Sequence, residues 1–159
     1  MRTFPLIKDL VTDVSWNFRV KKQIRKFKVK APEADGTWRV KQRDIDRVQE
    51  FRKCIECFLC QDVCHVVRDH KKHEDDGFIG PRFFVYAANL EMNPLDTADR
   101  VPELKDKHNI GYCNITKCCT KVCPEHIHIT DNAIIPLKER VVDRFYDPVS
   151  RLLRMVTGK

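Results

Sequence analysis

A mainly α-helical unit of about one domain, led by an irregular N-terminal arm, is the fold class this 159-residue sequence predicts. Three observations carry that reading. Apolar residues make up 42% and charged residues 33% of a chain with only five glycines, which suits a packed helical globule better than a disordered or fibrous chain. Apolar side chains recur at helical spacing in several segments, while strand signals are weak throughout. The eight cysteines fall into two dense groups, each following a polar or helical stretch.

Residues 1–42 read as the arm and 43–159 as the helical domain. Within the arm, Leu6, Ile7, Leu10, Val11 and Val14 have near-helical spacing and predict one short helix. The stretch KAPEADGTW, with Pro32 and Gly36 among polar residues, predicts a loop joining arm to domain. Ile45, Val48 and Phe51 then repeat every three residues behind Asp44, predicting a helix that runs into the first cysteine group. RDHKKHEDDG breaks the order. Gly80 and Pro81 open a helix whose Phe84, Ala87, Ala88 and Met92 form an inward stripe, ending before Asn93-Pro94. Residues 95–109 predict one or two short helices. Thr130 or Asp131 caps the amphipathic stretch NAIIPLKERVVDRFY, in which Pro136 lies near the start or kinks the helix, and VSRLLRMV makes a last helical piece.

The N-terminus does not read as a secretory signal, and no apolar run approaches the roughly 18 residues needed to span a bilayer. Without an export signal, eight cysteines point to reduced thiols in a cytosolic setting and to metal ligation over disulfides. The net charge of +7 is concentrated in RVKKQIRKFKVK, residues 19–30, with seven basic residues in twelve. That run reads as a solvated face or arm, or as a surface for membrane headgroups or an acidic partner; nucleic acid is the weakest reading. Two anionic clusters would offset part of the charge.

The first cysteine group is CIECFLCQDVCH: Cys54, Cys57, Cys60 and Cys64, spaced C-x2-C-x2-C-x3-C. In this highly specific motif three thiolates take three corners of one iron–sulfur cubane and the fourth ligates a second cluster, so a second motif is required. It follows 59 residues on as an internal repeat, CNITKCCTKVCP, with Cys113, Thr116, Cys119 and Cys123 in the four slots. Crossing the fourth ligands predicts a [4Fe-4S] cluster on Cys54, Cys57, Cys60 and Cys123. Cys64, Cys113 and Cys119 then form a site with three thiolates. A threonine hydroxyl is a poor ligand for thiolate-preferring iron, so the Thr116 corner is expected to lack its iron and the cluster to be [3Fe-4S], at a higher potential. Zinc fits these steps badly, since sites built from cysteine pairs use a longer spacer. Cys118, adjacent to Cys119, is expected to point elsewhere as a buried structural thiol. His65, Asn114, His126 and His128 flank the loops, as hydrogen-bonding or surface groups or as cluster-tuning and proton-transferring ones. With no catalytic triad, carboxylate pair or phosphate loop, the chain reads as one that moves electrons, with no bond-making catalytic residues.

CIECFLCQDVC followed by C-x5-C-x3-C-P resembles the C-terminal half of the iron–sulfur subunit of succinate dehydrogenase and fumarate reductase. FPLIKDLVTDVS is similar to the segment joining that family's two halves, and FRKCIECFLCQ, GYCNITKCCT and CPEHI look most like the actinobacterial form. The resemblance implies an α-helical ferredoxin (two-cluster ferredoxin core), with the first three cysteines and the last on [4Fe-4S] and the other three on [3Fe-4S]. It also implies a flavoprotein subunit and membrane anchor subunits as partners, quinone nearby, no nucleic acid, and a cytoplasmic place on the inner face of the cell membrane. The family's [2Fe-2S] cluster is expected only in a missing N-terminal domain or another chain. A proline normally follows the cysteine equivalent to Cys64, and a histidine the one equivalent to Cys113; here these are His65 and Asn114, so any quinone pocket is built differently. The alternative is a stand-alone dicluster carrier of the heterodisulfide reductase or glycolate oxidase type, whose two motifs are usually complete.

Overall fold

The computed structural model describes residues 3–69 and 77–149. Helices dominate, and the one sheet among the described residues is a two-stranded antiparallel hairpin. Strands β1 (Leu6–Lys8) and β2 (Val11–Thr12) pair Leu6 with Thr12 and Lys8 with Val11, across a turn in which Asp9 takes a left-handed φ of 53°. Here the structure departs from the helix expected over residues 6–14: the left-handed backbone that an aspartate tolerates at Asp9 and β-branched Val11 and Thr12 decide the local conformation. Helix α1 (Ser15–Gln23) comes later than expected and buries Trp16 and Val20, with Ile24 just beyond its end.

The basic run is therefore not a free arm. Lys21 pairs with Glu56 and Arg25 with Glu103, each at 2.6 Å. Arg100, 1% exposed, donates to the carbonyls of Arg25 (2.7 Å) and Lys26 (2.8 Å) and pairs with Asp96 at 2.8 Å. A buried guanidinium is tolerable only when its N–H groups are matched in this way. The backbone of Lys28, Val29 and Lys30 then runs beside Leu95, Asp96 and Thr97.

Helix α2 (Gln42–Gln49) passes into a 3-10 turn, Glu50–Lys53, that delivers Cys54. Two short helices follow, α3 (Leu59–Asp62) and α4 (His65–Asp69). Helix α5 (Pro81–Glu91) is the central element, and the expected stripe of Phe84, Ala87, Ala88 and Met92 is buried along it. It packs on a π-helical turn, Ile129–Ile134, that runs straight into α8 (Ile135–Phe145). Pro136 cannot donate to the carbonyl four residues back, and the wider turn just before it absorbs that loss. Thr130 lies inside this turn, fully buried, instead of capping it. Between these lie α6 (Val101–Asp106), a 3-10 turn Ile110–Tyr112 and α7 (Cys118–Val122). The last helical piece expected over residues 149–156 falls, after Val149, outside the described residues. Among the described residues no helix is long and apolar enough to cross a membrane.

Gly80 starts α5 at φ 87°, and a Cβ there would sit 2.0 Å from Gln61 Oε1. Gln61 is wholly buried; its Nε2 donates to the Ile79 carbonyl (2.9 Å) and its Oε1 accepts from Arg82 N–H (3.3 Å). Gly80→Ala therefore combines backbone strain with a clash against a buried amide, and we expect a loss of about 2–5 kcal/mol in chemical denaturation. His108 is 1% exposed with neither ring nitrogen hydrogen-bonded, and burial holds its pKa down at about 4. The unfolded chain takes up this proton below about pH 6.5 while the folded chain resists until about pH 4. Stability from this group is thus complete above pH 6.5 and lost at up to about 1.4 kcal/mol per unit as pH falls toward 4. The slope of denaturation midpoint against pH between 7 and 5 should be shallower in His108→Phe.

Candidate metal centres

The two cysteine motifs fold as two copies of one loop. Each follows a 3-10 turn, and Cys54 and Cys113 leave it with near-identical backbone angles, φ −65° with ψ 113° and 118°. In the first loop Glu56 and Phe58 are left-handed, at φ 58° and 61°; in the second, Ile115 and Lys117 are, at φ 61° and 60°. These positions are 59 residues apart, the offset of the sequence repeat. None is glycine, so each conformation costs on the order of 1–2 kcal/mol. Left-handed residues turn a backbone toward the concave shapes that bind anions. The short helices α3 and α7 that close the loops pack on each other.

The loops frame two cavities. Cys54, Cys57, Cys60 and Cys123 line the first, walled by Phe58, Val85, Pro124, Ile127 and Ile129 and bordered by Arg82 and Glu125. Cys64, Cys113 and Cys119 line the second, together with Thr116 and Cys118. The final cysteine of each motif thus lies in the other motif's cavity. Among the described residues no three His, Cys, Asp or Glu side chains are set to hold a single metal ion; the thiols surround a volume instead of converging on a point. Burial, then the neighbouring Cys54, Cys119 and Cys57, pushes the Cys60 thiol up, and burial raises Cys64 to about 11. Burial also raises Cys119. Metal must displace these protons, which thiolate-seeking iron does.

Thr116 occupies its slot at the second cavity, exposed to solvent. Cys118 departs from expectation. It is exposed, lines the second cavity, and its Sγ lies 3.5 Å from Thr116 Oγ1, because it begins α7 directly after left-handed Lys117. His65 and Asn114 meet across the loops, with Asn114 Nδ2 donating to His65 Nε2 at 2.6 Å, and both line the second cavity. His128 donates through its backbone N–H and Nδ1 to Glu50 (2.8 and 2.7 Å), tying the turn before Cys54 to the turn after Cys123, while His126 is exposed with φ 52°.

Sequence reasoning missed four contributors. Thr130 N–H donates to Thr120 Oγ1 (3.0 Å) and the Thr120 hydroxyl donates to Thr130 Oγ1 (3.1 Å), which leaves the Thr130 proton for Cys119 Sγ at 3.5 Å. The Lys138 ammonium donates to the carbonyl of Cys113 at 2.6 Å. Arg82, 4% exposed, borders the first cavity with its Nε–H unpartnered. Of these, Arg82 left a trace in the sequence, as a lone charge opening the apolar run PRFFVYAANL. Thiols grouped around two cavities, left-handed residues in both loops and an orphaned buried N–H fit anionic, sulfur-rich clusters.

Similarity to known proteins points the same way. The 4Fe-4S dicluster domain family matches residues 50–127. The chain is 30% identical over 135 residues to a subunit of the fumarate reductase (CoM/CoB) of Methanothermobacter marburgensis, covering 84% of this chain and 26% of that protein. It is 29% identical over 132 residues to the fumarate reductase iron–sulfur subunit of Mycobacterium tuberculosis, covering 80% and 51%. A chain of the Mycobacterium smegmatis Sdh1 complex in the apo form superposes with a TM-score of 0.86 at 59% identity, covering 93% of this chain and 62% of that one. The chain therefore spans between about a quarter and a half of the length of these two curated relatives. With the dicluster loops, the fold and these similarities in agreement, its homologues are the iron–sulfur subunits of succinate dehydrogenase and fumarate reductase.

Proposed function

We propose that this chain is the electron-transfer part of a succinate dehydrogenase or fumarate reductase complex, relaying electrons between a flavoprotein subunit and membrane quinone through a [4Fe-4S] and a [3Fe-4S] cluster. The observation that carries the reading is the crossed grouping of the thiols, with Cys123 beside Cys54, Cys57 and Cys60 and Cys64 beside Cys113 and Cys119. The first set holds the four-iron cluster and the second the three-iron cluster. When bound, the two clusters supply one-electron transfer at potentials set by cluster type and surroundings.

The chain's own residues keep the two sites apart and unlike. Phe58, Val85 and Ile127 exclude water from the first cavity, and Thr116 withholds a thiolate from the second. The Thr130 hydroxyl, aimed at Cys119 Sγ, favours the more reduced state of the second site. His65 and Asn114 give the second site an exposed, hydrogen-bonded polar edge, which is the side we assign to quinone. The site of action is the inner face of the cell membrane, through anchor subunits. In this reading the segment before residue 43 clasps the cluster-bearing part through Lys21 and Arg25.

Cys118 favours a second reading. A fourth thiol at the second cavity would complete a second cubane, as in a stand-alone dicluster carrier. Electron paramagnetic resonance of the anaerobically purified protein separates the two: a signal in the oxidised state marks the three-iron cluster, whereas signals only on reduction mark two cubanes. Under the first reading Thr116→Cys converts the oxidised-state signal to a reduced-state one and lowers that site's potential, and Cys118→Ala leaves the unmodified spectrum unchanged. Under the second, Cys118→Ala alone creates the three-iron signal.

A further inference from the structure

We infer that Arg82 sets the redox potential of the first cluster site, presenting a buried positive charge and a free N–H to the cavity of Cys54, Cys57, Cys60 and Cys123. The inference rests on the ligand assignment proposed above.

Arg82 stands at the second position of α5, immediately after Pro81, and is 4% exposed. Its Nη2 meets Glu56 Oε1 at 2.6 Å, and its guanidinium lies 5.8 Å from the centre of the Tyr86 ring. Its Nε–H, by contrast, is buried without a partner and belongs to a residue lining the first cavity. An arginine N–H left unsatisfied in the interior costs on the order of 1–3 kcal/mol. Sulfur acceptors held by the four cysteines would satisfy it, and among the described residues no side chain accepts from that donor.

The charge balance gives the direction. Glu56 lies in the loop between Cys54 and Cys57, and its carboxylate is shared by Lys21 and Arg82, each at 2.6 Å. Glu125 also lines the first cavity, so two cations and two carboxylates stand around it, and Arg82, at 4% exposure, is the buried charge among them. Adding an electron makes the cluster more negative, and nearby positive charge and N–H donation to sulfur both stabilise that state. Arg82 thus raises the potential of the first site, and Glu56, by partly neutralising it, holds the rise in check. Lys21 belongs to α1, so the N-terminal segment reaches the cluster through this network.

The test is a potentiometric titration followed by electron paramagnetic resonance on the anaerobically purified full chain. Arg82→Met should lower the midpoint of the four-iron site so that its reduced-to-oxidised ratio at a fixed potential falls tenfold, a shift of about 59 mV for one electron. Glu56→Gln should shift it upward, and Arg82→Lys, which keeps charge but removes Nε, should fall between Arg82→Met and the unmodified protein. The second site's midpoint should stay in place in all three. A purely structural role would move Arg82→Met and Glu56→Gln in the same direction, or broaden both, and that result or an unmoved midpoint overturns the inference. If Arg82→Met fails to assemble, the Arg82→Lys and Glu56→Gln pair decides it by the same signs. Absence of any four-iron signal from the unmodified protein overturns the ligand assignment as well, whereas a normal signal with unmoved midpoints overturns the role of Arg82 alone.

Discussion

Everything in this fold answers to one constraint: each of two short loops must surrender its last cysteine to the other loop's cavity. Cys64 reaches the group of Cys113 and Cys119, and Cys123 reaches the group of Cys54, Cys57 and Cys60. Neither cavity is complete from one loop, so the relative position of the loops must be held to within a side chain's reach. Helices α3 and α7, each following a left-handed residue, meet between the cavities and place buried Cys60 and Cys119 there. Four non-glycine residues held left-handed oppose folding, and in the proposed function the ligation free energy of iron offsets them.

The surrounding scaffold is correspondingly rich in buried polar ties. Gln61 locks the start of α5 to the first loop, Glu50 joins the entrance of that loop to the turn after Cys123, and Thr120 with Thr130 joins α7 to the π-helical turn. Apolar packing sets how close elements come, but it is nondirectional; hydrogen bonds between specific atoms set register. Arg100 serves the same end farther out, binding the basic run to the globule through carbonyls of Arg25 and Lys26. Those seven basic residues therefore belong to a fastened surface and not to a loose tail.

The two sites share a backbone and differ in what surrounds it. The first is walled by apolar side chains and bordered by a buried cation; the second is bordered by Thr116, Cys118, His65 and Asn114, with a hydroxyl aimed at Cys119. His65 and Asn114, which stand where the resembling family has proline and histidine, meet each other directly, so the two departures form one local feature. The imidazole of His65 stands at the edge of the second cavity although it follows the first loop.

Cysteine spacing by itself made the placement of Cys123 beside Cys54, Cys57 and Cys60, and of Cys64 beside Cys113 and Cys119, readable. The helical stripe of α5 and the helix leading into Cys54 were equally legible, since 3.6-residue periodicity is local. What only the tertiary structure decided involves partners distant in sequence. The hairpin at Leu6–Lys8 and Val11–Thr12 formed where apolar spacing read as helical, and α1 then packed against the core. The direction of Cys118 followed from the left-handed turn at Lys117, a conformation that lysine does not advertise. The pairing of Arg82 with Glu56 spans 26 residues, and Thr130 with Cys119 spans eleven through a π-helical turn. Such contacts depend on how whole elements pack, and local sequence carries no record of that.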